Sequence, residues 1–306
     1  MKRKIINMII VILFFCGLVV FLYPTATHFF SKQKTSGYIA DFNKVTQSLR
    51  QPSDGTDGFV SDKELSNKLY ADMQAYNADI YEVGQANLKD PFSYEQAAFD
   101  LTQYGLLDNI AGYVTIPGMR VELPIYLGAS TENLAKGAAS LGQTSLPVGG
   151  INTNTVLAAH RGYKGIAMFR DIESLEIGDK IYITNLWETM VYEVAETKII
   201  LPGDMGEIFI QPGCDLVTLI TCHPYAKNYQ RYIVYCKRTT EENKDKVTAG
   251  TDSELSYLFK FNELTSSQQL IFLEYWLPIA FIAVLLLLII ARTILWIIHK
   301  KKEGPH

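Results

Sequence analysis

The sequence has little cysteine, four residues in 306, and none of them form the paired C-x-x-C spacing of a zinc site. Cys16 sits in an apolar run near the N-terminus, which leaves Cys214, Cys222 and Cys236 elsewhere. A domain stapled by disulfides would carry a denser, even set, so that class is disfavoured and the odd thiol needs a reason. Charge of one sign is not in excess either. The 28 Lys and Arg against 32 Asp and Glu give a formal net charge of -4, which offers nothing toward a nucleic-acid partner. The sequence has no repeat period and no long low-complexity tract, and it implies no metal or cofactor.

Long hydrophobic runs, by contrast, are present at both ends. Ile5 to Tyr23 carries no charge after Lys2, Arg3 and Lys4, and roughly 20 apolar residues span a bilayer as a helix. The following PTATHFF has no A-x-A-like cleavage site, which favours an uncleaved anchor over a cleaved signal peptide. Tyr275 to Ile298 is a second such run, with Arg292 near its basic end and HKKK after it. Lys and Arg collect on the cytoplasmic side of spanning segments. The expectation is a two-pass protein of the cell membrane, with both termini cytoplasmic and the middle extracytoplasmic.

That middle divides by pattern. From about Gly37 to Gly84 it reads as helix in two pieces broken by QPSDGTDG. The second piece opens on a Ser61–Glu64 capping-box spacing and places Leu65, Leu69, Met73, Tyr76 and Ile80 at helical intervals. After Gly105 come short β-branched and aromatic runs, GYVTIP, VELPIYL, NTVLAAH, DKIYITNL, TMVYEVAETKII, DLVTLITC and YQRYIVYC, separated by turn residues. TENLAKGAAS and FRDIESL read as short helices. The fold expected is mainly β, a closed β-barrel with short helices, preceded by an N-terminal helical region and flanked by two transmembrane helices. The boundaries are 1–30 for the anchor, 31–105 for the helical region, 106–240 for the barrel, 241–270 for a linker, and 271–306 for the second span with its basic tail.

Within the barrel, Cys222 ends an apolar run just before Pro224, where a ladder stops. A thiol there can be exposed, although a buried, inert cysteine is the plain alternative. A cysteine nucleophile needs a proton-handling partner. His223 is adjacent, but neighbours in extended chain point to opposite faces. His28 lies at a membrane edge, and His299 and His306 fall in the tail. His160, at the end of TNTVLAAH, is therefore the partner expected. Antiparallel pairing across HPYAKN would bring Arg231 beside Cys222, where its donor fork suits an oxyanion; an ordinary surface charge is the rival reading.

TLITC resembles the TLxTC element of sortases, AAHRG resembles their histidine segment, and NYQRYIV resembles the segment bearing their arginine. The order His, Cys, Arg agrees with that family, whereas in papain-like proteases the cysteine comes first. The resemblance spans roughly Gly105 to Arg238. It implies a cysteine transpeptidase with Cys222 as nucleophile, His160 as general acid or base, and Arg231 holding substrate and oxyanion. LKDPFSYEQ further resembles the lid of the pilus-building class C sortases, with Asp90, Pro91 and Phe92 as the plug. A turn and helix capped by Ser93 and Gln96 is the bland reading of the same letters.

On that resemblance the enzyme cleaves an LPXTG-like signal after Thr and joins it to a lysine of the next pilin, so its partners are pilin subunits and the lipid bilayer. The chain is not itself such a substrate, because its only similar letters, LPIAF from Leu277, lie inside the second apolar run. Two rivals remain: a housekeeping sortase acting on peptidoglycan precursors, and a non-enzymatic two-pass scaffold with Cys214 bonded to Cys236.

Overall fold

The computed structural model describes residues 60–85, 88–104, 106, 109–163 and 166–240, with 35–47 ahead of them and scattered positions within 14–33 and 269–292. The two expected membrane spans lie largely outside the described residues. Among the described residues no helix is long and apolar enough to cross a membrane. The chain divides into two units, one of Met1–Phe21 with Asp252–His306 and one of Leu22–Thr251. Residues 279–286 of the first are helical.

Among the described residues the second unit has eight strands: β1 (Ile110–Ile116), β2 (Val121–Leu127), β3 (Ala138–Ser140), β4 (Thr153–Ala158), β5 (Lys180–Thr184), β6 (Thr189–Ile200), β7 (Asp215–His223) and β8 (Gln230–Arg238). They close into a barrel in the order β1-β2-β3-β4-β7-β8-β6-β5, with β5 returning to β1. Most neighbours are antiparallel, but β2 with β3 and β4 with β7 are parallel. Seven strands coincide with the expected runs.

The eighth, β3, replaces the last three residues of an expected helix. Helix α3 (Thr131–Lys136), capped by Ser130 Oγ accepting from Asn133 N–H at 3.1 Å, stops at Gly137. A side chain at Gly137 would meet the Pro124 carbonyl at 2.7 Å, and the small residues after it pair with both β2 and β4. The FRDIESL stretch keeps one 3-10 turn, Ile172–Ser174. A 3-10 turn also stands at Pro91–Ser93, and residues 94–98 that a Ser93 cap would have begun are not helical.

The run LVTLITC is apolar on both faces because both faces are covered. Val217 and Leu219 point into the barrel with Leu157, Val234 and Cys236. Ile220 points outward with Ala158 and Ile233, beneath Leu88, Leu134, Met205 and Ile208. Each such aliphatic side chain removed from water is worth about 1.5–3 kcal/mol.

Helix α1 (residues 35–47) and α2 (Val60–Val83) precede the barrel. The α2 helix begins one residue before Ser61, so the expected cap lies within it. Its stripe is the expected one: Leu69 and Met73 are buried in a third cluster with Leu101, Tyr126 and Leu146. Asn77 continues the stripe and bonds both backbone groups of Leu146, donating to its carbonyl at 3.2 Å and accepting from its N–H at 2.7 Å.

Candidate active site

The β7–β8 hairpin sets Cys222 directly opposite Arg231, and opposed residues in an antiparallel pair share a face. On the other side of β7 runs β4, in parallel register with Ala158 beside Ile220. His160 and Cys222 each lie two residues beyond that last pair, so continuation of the same register would set them side by side. The face they share is the outer wall, the side of Ala158, Ile220 and Ile233. Cys222 and Arg231 thus stand together at the end of the barrel where β4 also ends, two residues before His160. Cys222 and His160 are partly exposed, and Arg231 is buried.

Arg231 is buried because the segment before the barrel lies on it. Asp90 accepts from Arg231 Nε at 2.6 Å and from NH2 at 2.8 Å, a fork-to-fork pair. The third nitrogen, NH1, donates to the carbonyls of Asn228 and Gln230. Phe92 stands with its ring 5.0 Å from the Arg231 Cζ and 5.7 Å from the His160 ring. The aromatic side chain thus occupies the space between the two polar groups. Pro91 fixes the bend between Asp90 and Phe92, and Tyr94 closes the turn in the left-handed conformation with φ of 64°.

The stem of this segment is fastened as well. Gln85 donates to the Gln143 carbonyl at 2.9 Å and accepts from the Ile210 N–H at 2.7 Å, while Leu88 enters the outer-wall cluster.

The burial of the site bears on its protonation. Burial pushes the Cys222 thiol above its usual range and Asp90 adds to this, against the pull of the Arg231 and Arg161 charges. Burial likewise holds His160 below the usual histidine range. Both shifts favour the neutral forms at neutral pH. The His160 ring also stacks on Tyr163, with centroids 4.9 Å apart and planes 19° from parallel. Nothing in the sequence marked that contact, because Tyr163 lies in the turn-prone RGYKG.

His223 faces away from Cys222, as the alternation of extended chain requires, and enters a buried group with Arg161 and Glu173. Cys214 and Cys236 are free thiols, which removes the bridged scaffold. Cys236 lies opposite Val217 and faces the barrel interior, whereas Cys214 precedes the start of β7, so the hairpin does not align them.

Among known proteins, the Sortase domain family matches residues 114–239. Sortase A of Bacillus anthracis is 29% identical over 182 residues, covering 58% of this chain and 82% of that protein. Sortase D of Bacillus subtilis is 32% identical over 133 residues, covering 42% and 64%. Among solved structures, a sortase C of Streptococcus pneumoniae aligns with a TM-score of 0.57 and 32% identity over 67% of this chain and 97% of that one. Sortase C1 of Streptococcus agalactiae aligns at 0.56 and 31%, over 67% and 97%. Fold, family match and the likeness to these structures agree: the chain belongs to the sortase family of cysteine transpeptidases.

Proposed function

We propose that the protein is a class C sortase, joining pilin subunits through isopeptide bonds. The observation that carries this reading is the plug, with Asp90 clamped on Arg231 and Phe92 set between Arg231 and His160. A lid of this kind suits an enzyme that must stay idle until a substrate is delivered. The likeness to sortase C structures, one of them from a pilus island, supports it.

In the proposed reaction the plug leaves and the Cys222 sulfur attacks the Thr carbonyl of an LPXTG-like signal as the thiol proton passes to His160. The Arg231 fork, now without its carboxylate, holds the oxyanion that forms. His160 gives a proton to the departing Gly amine, leaving a thioester on Cys222. A lysine ε-amine of the next pilin then attacks the thioester, gives up a proton to His160 and releases the thiolate. A free thiol titrates near 8.5 and a lysine near 10.4, so at neutral pH both nucleophiles depend on a base nearby. Two membrane spans, with the barrel outside and both termini inside, would keep the enzyme where such substrates emerge.

The housekeeping reading has its own support, since several curated relatives are named sortase A. The lid weighs against it. The test is reaction of the full-length chain with a pilin carrying both the signal and its acceptor lysine, read by mass spectrometry. Thr-to-Lys linkage is expected. Hydrolysed Thr ends alone, or transfer only to a peptidoglycan-like amine, would overturn the class C assignment.

A further inference from the structure

Each residue of the proposed triad has a following neighbour that points the other way, and those neighbours meet. Arg161 follows His160, His223 follows Cys222, and Tyr232 follows Arg231. Behind the site, Arg161 NH1 lies 2.9 Å from His223 Nδ1 and 3.5 Å from the Cys222 carbonyl oxygen. Its NH2 pairs with Glu173, and its Nε reaches the Arg170 carbonyl at 3.4 Å. Glu173 Oε1 is 3.1 Å from the same His223 nitrogen, and the His223 and Tyr232 rings stand 5.6 Å apart. The Arg161 and Glu173 side chains are 3% and 5% exposed.

A buried ion pair of this kind is a poor way to gain stability, because an apolar pair of similar volume does as well or better. What the charged version adds is direction. The β4–β7 ladder ends with Ala158 beside Ile220, and one step later Ala159 N–H bonds the Ile220 carbonyl and Thr221 Oγ1 the Ala159 carbonyl. At the next step, where His160 and Cys222 stand, Arg161 continues the connection through a side chain. Burial holds His223 below the usual histidine range, against Glu173 and with Arg161. A neutral ring accepts the Arg161 hydrogen bond at Nδ1. The charged and titratable groups facing His223 are Glu173 on the 3-10 turn, Arg161 after β4 and Tyr232 on β8.

We infer that Arg161, locked by Glu173 and His223, is a positioning residue that fixes the separation of His160 from Cys222. This rests on Cys222 and His160 being the reacting pair. Arg161 touches the backbone of one and adjoins the other, so a shift of its fork moves both. Misplacing reacting groups by about 1 Å costs on the order of a hundredfold in rate.

The test uses the full-length chain carrying Asp90→Ala and Phe92→Ala, so that lid opening does not limit the rate. Into this parent go Arg161→Met, Glu173→Gln and the paired Arg161→Met/Glu173→Leu. Cleavage of an LPXTG-like peptide, the pH dependence of Cys222 alkylation and the melting temperature are measured for each. Arg161→Met is expected to lower kcat roughly tenfold to a hundredfold with KM little changed, and to move the alkylation midpoint upward as a nearby positive charge is lost. Glu173→Gln, which keeps the shape, is expected to move kcat in the same direction by less.

The paired apolar variant is expected to regain melting temperature without regaining kcat. Recovery of kcat together with melting temperature, or unchanged kcat and alkylation midpoint in Glu173→Gln, would overturn the inference and leave a purely structural cluster. Failure of the underlying reading looks different: peptide cleavage that survives Cys222→Ala, or an acyl group found on another cysteine.

Discussion

Asp90 and Arg231, 141 residues apart in sequence, are joined by two parallel hydrogen bonds of 2.6 and 2.8 Å. On the proposed reaction, the carboxylate occupies the fork that the developing oxyanion of a substrate would use. Closing the lid and binding a substrate carbonyl therefore compete for one guanidinium.

Lid release follows from that competition. Hydrogen bonds to a charged partner contribute about 1.5–3 kcal/mol each net of water, and each 1.4 kcal/mol is a factor of ten. Replacing Asp90 and Phe92 together by Ala is expected to raise the population of open lid, and with it the rate of Cys222 alkylation by a small reagent, at least tenfold. Stopped-flow labelling of the full-length protein measures this. Equal rates would mean that the segment does not gate the thiol.

The same variant should shift two titrations in opposite directions. Burial first, and Asp90 second, raise the Cys222 pKa, while burial lowers that of His160. Opening the lid relieves both, so the thiol pKa falls and the imidazole pKa rises. The linkage runs the same way in the unmodified protein. The closed state binds the thiol proton more tightly, so raising the pH through the thiol range favours opening. It binds the imidazole proton less tightly, so lowering the pH through the histidine range also favours opening. Closure is strongest between the two. Thiolate absorbance and imidazole proton shifts, followed with and without the lid substitutions, check the signs.

The sequence carried the parity of the site but not its enclosure. Cys222 and His160 end strand-like runs, Arg231 stands near the start of one, and alternation alone sets His223 on the opposite face, where it is found. The pairings of Tyr163 with His160 and of Gln85 with Gln143 and Ile210 were not legible, because they join loops whose approach depends on barrel closure. The alanines of TENLAKGAAS favour helix locally, and only pairing with β2 and β4 makes Ala138–Ser140 a strand. Arg161 was quoted within AAHRG without a part of its own. The parity that set His223 aside applies to it equally, and would have predicted their meeting.

Arg231 offers a separation of charge from geometry. Removing one oxyanion donor typically costs 10²–10³ in kcat, and Arg231→Ala is expected in that range for peptide cleavage. Arg231→Lys keeps the charge but loses the planar fork. It is expected to return much of the thiol pKa toward that of the parent while recovering little of kcat. Recovery of both by Lys would reduce the role of Arg231 to its charge.

Asn77 tests whether α2 is an integral part of the barrel's support. The residue is 4% exposed, and its side chain satisfies both backbone groups of Leu146. Leu146 in turn shares a cluster with Leu69 and Met73 from the same helix face. Asn77→Ala leaves a buried N–H and a buried carbonyl without those partners, at about 1–3 kcal/mol for each. Asn77→Asp keeps an acceptor for the N–H but sets a carboxylate against the Leu146 carbonyl, so it is expected to be no better than Ala at neutral pH and to improve as the pH falls. Thermal unfolding of the full-length protein measures both variants. Because Gln85 and the lid follow α2 directly, loosening this helix should also speed Cys222 alkylation; a lower melting temperature with unchanged labelling would show that the lid is held by its own contacts alone.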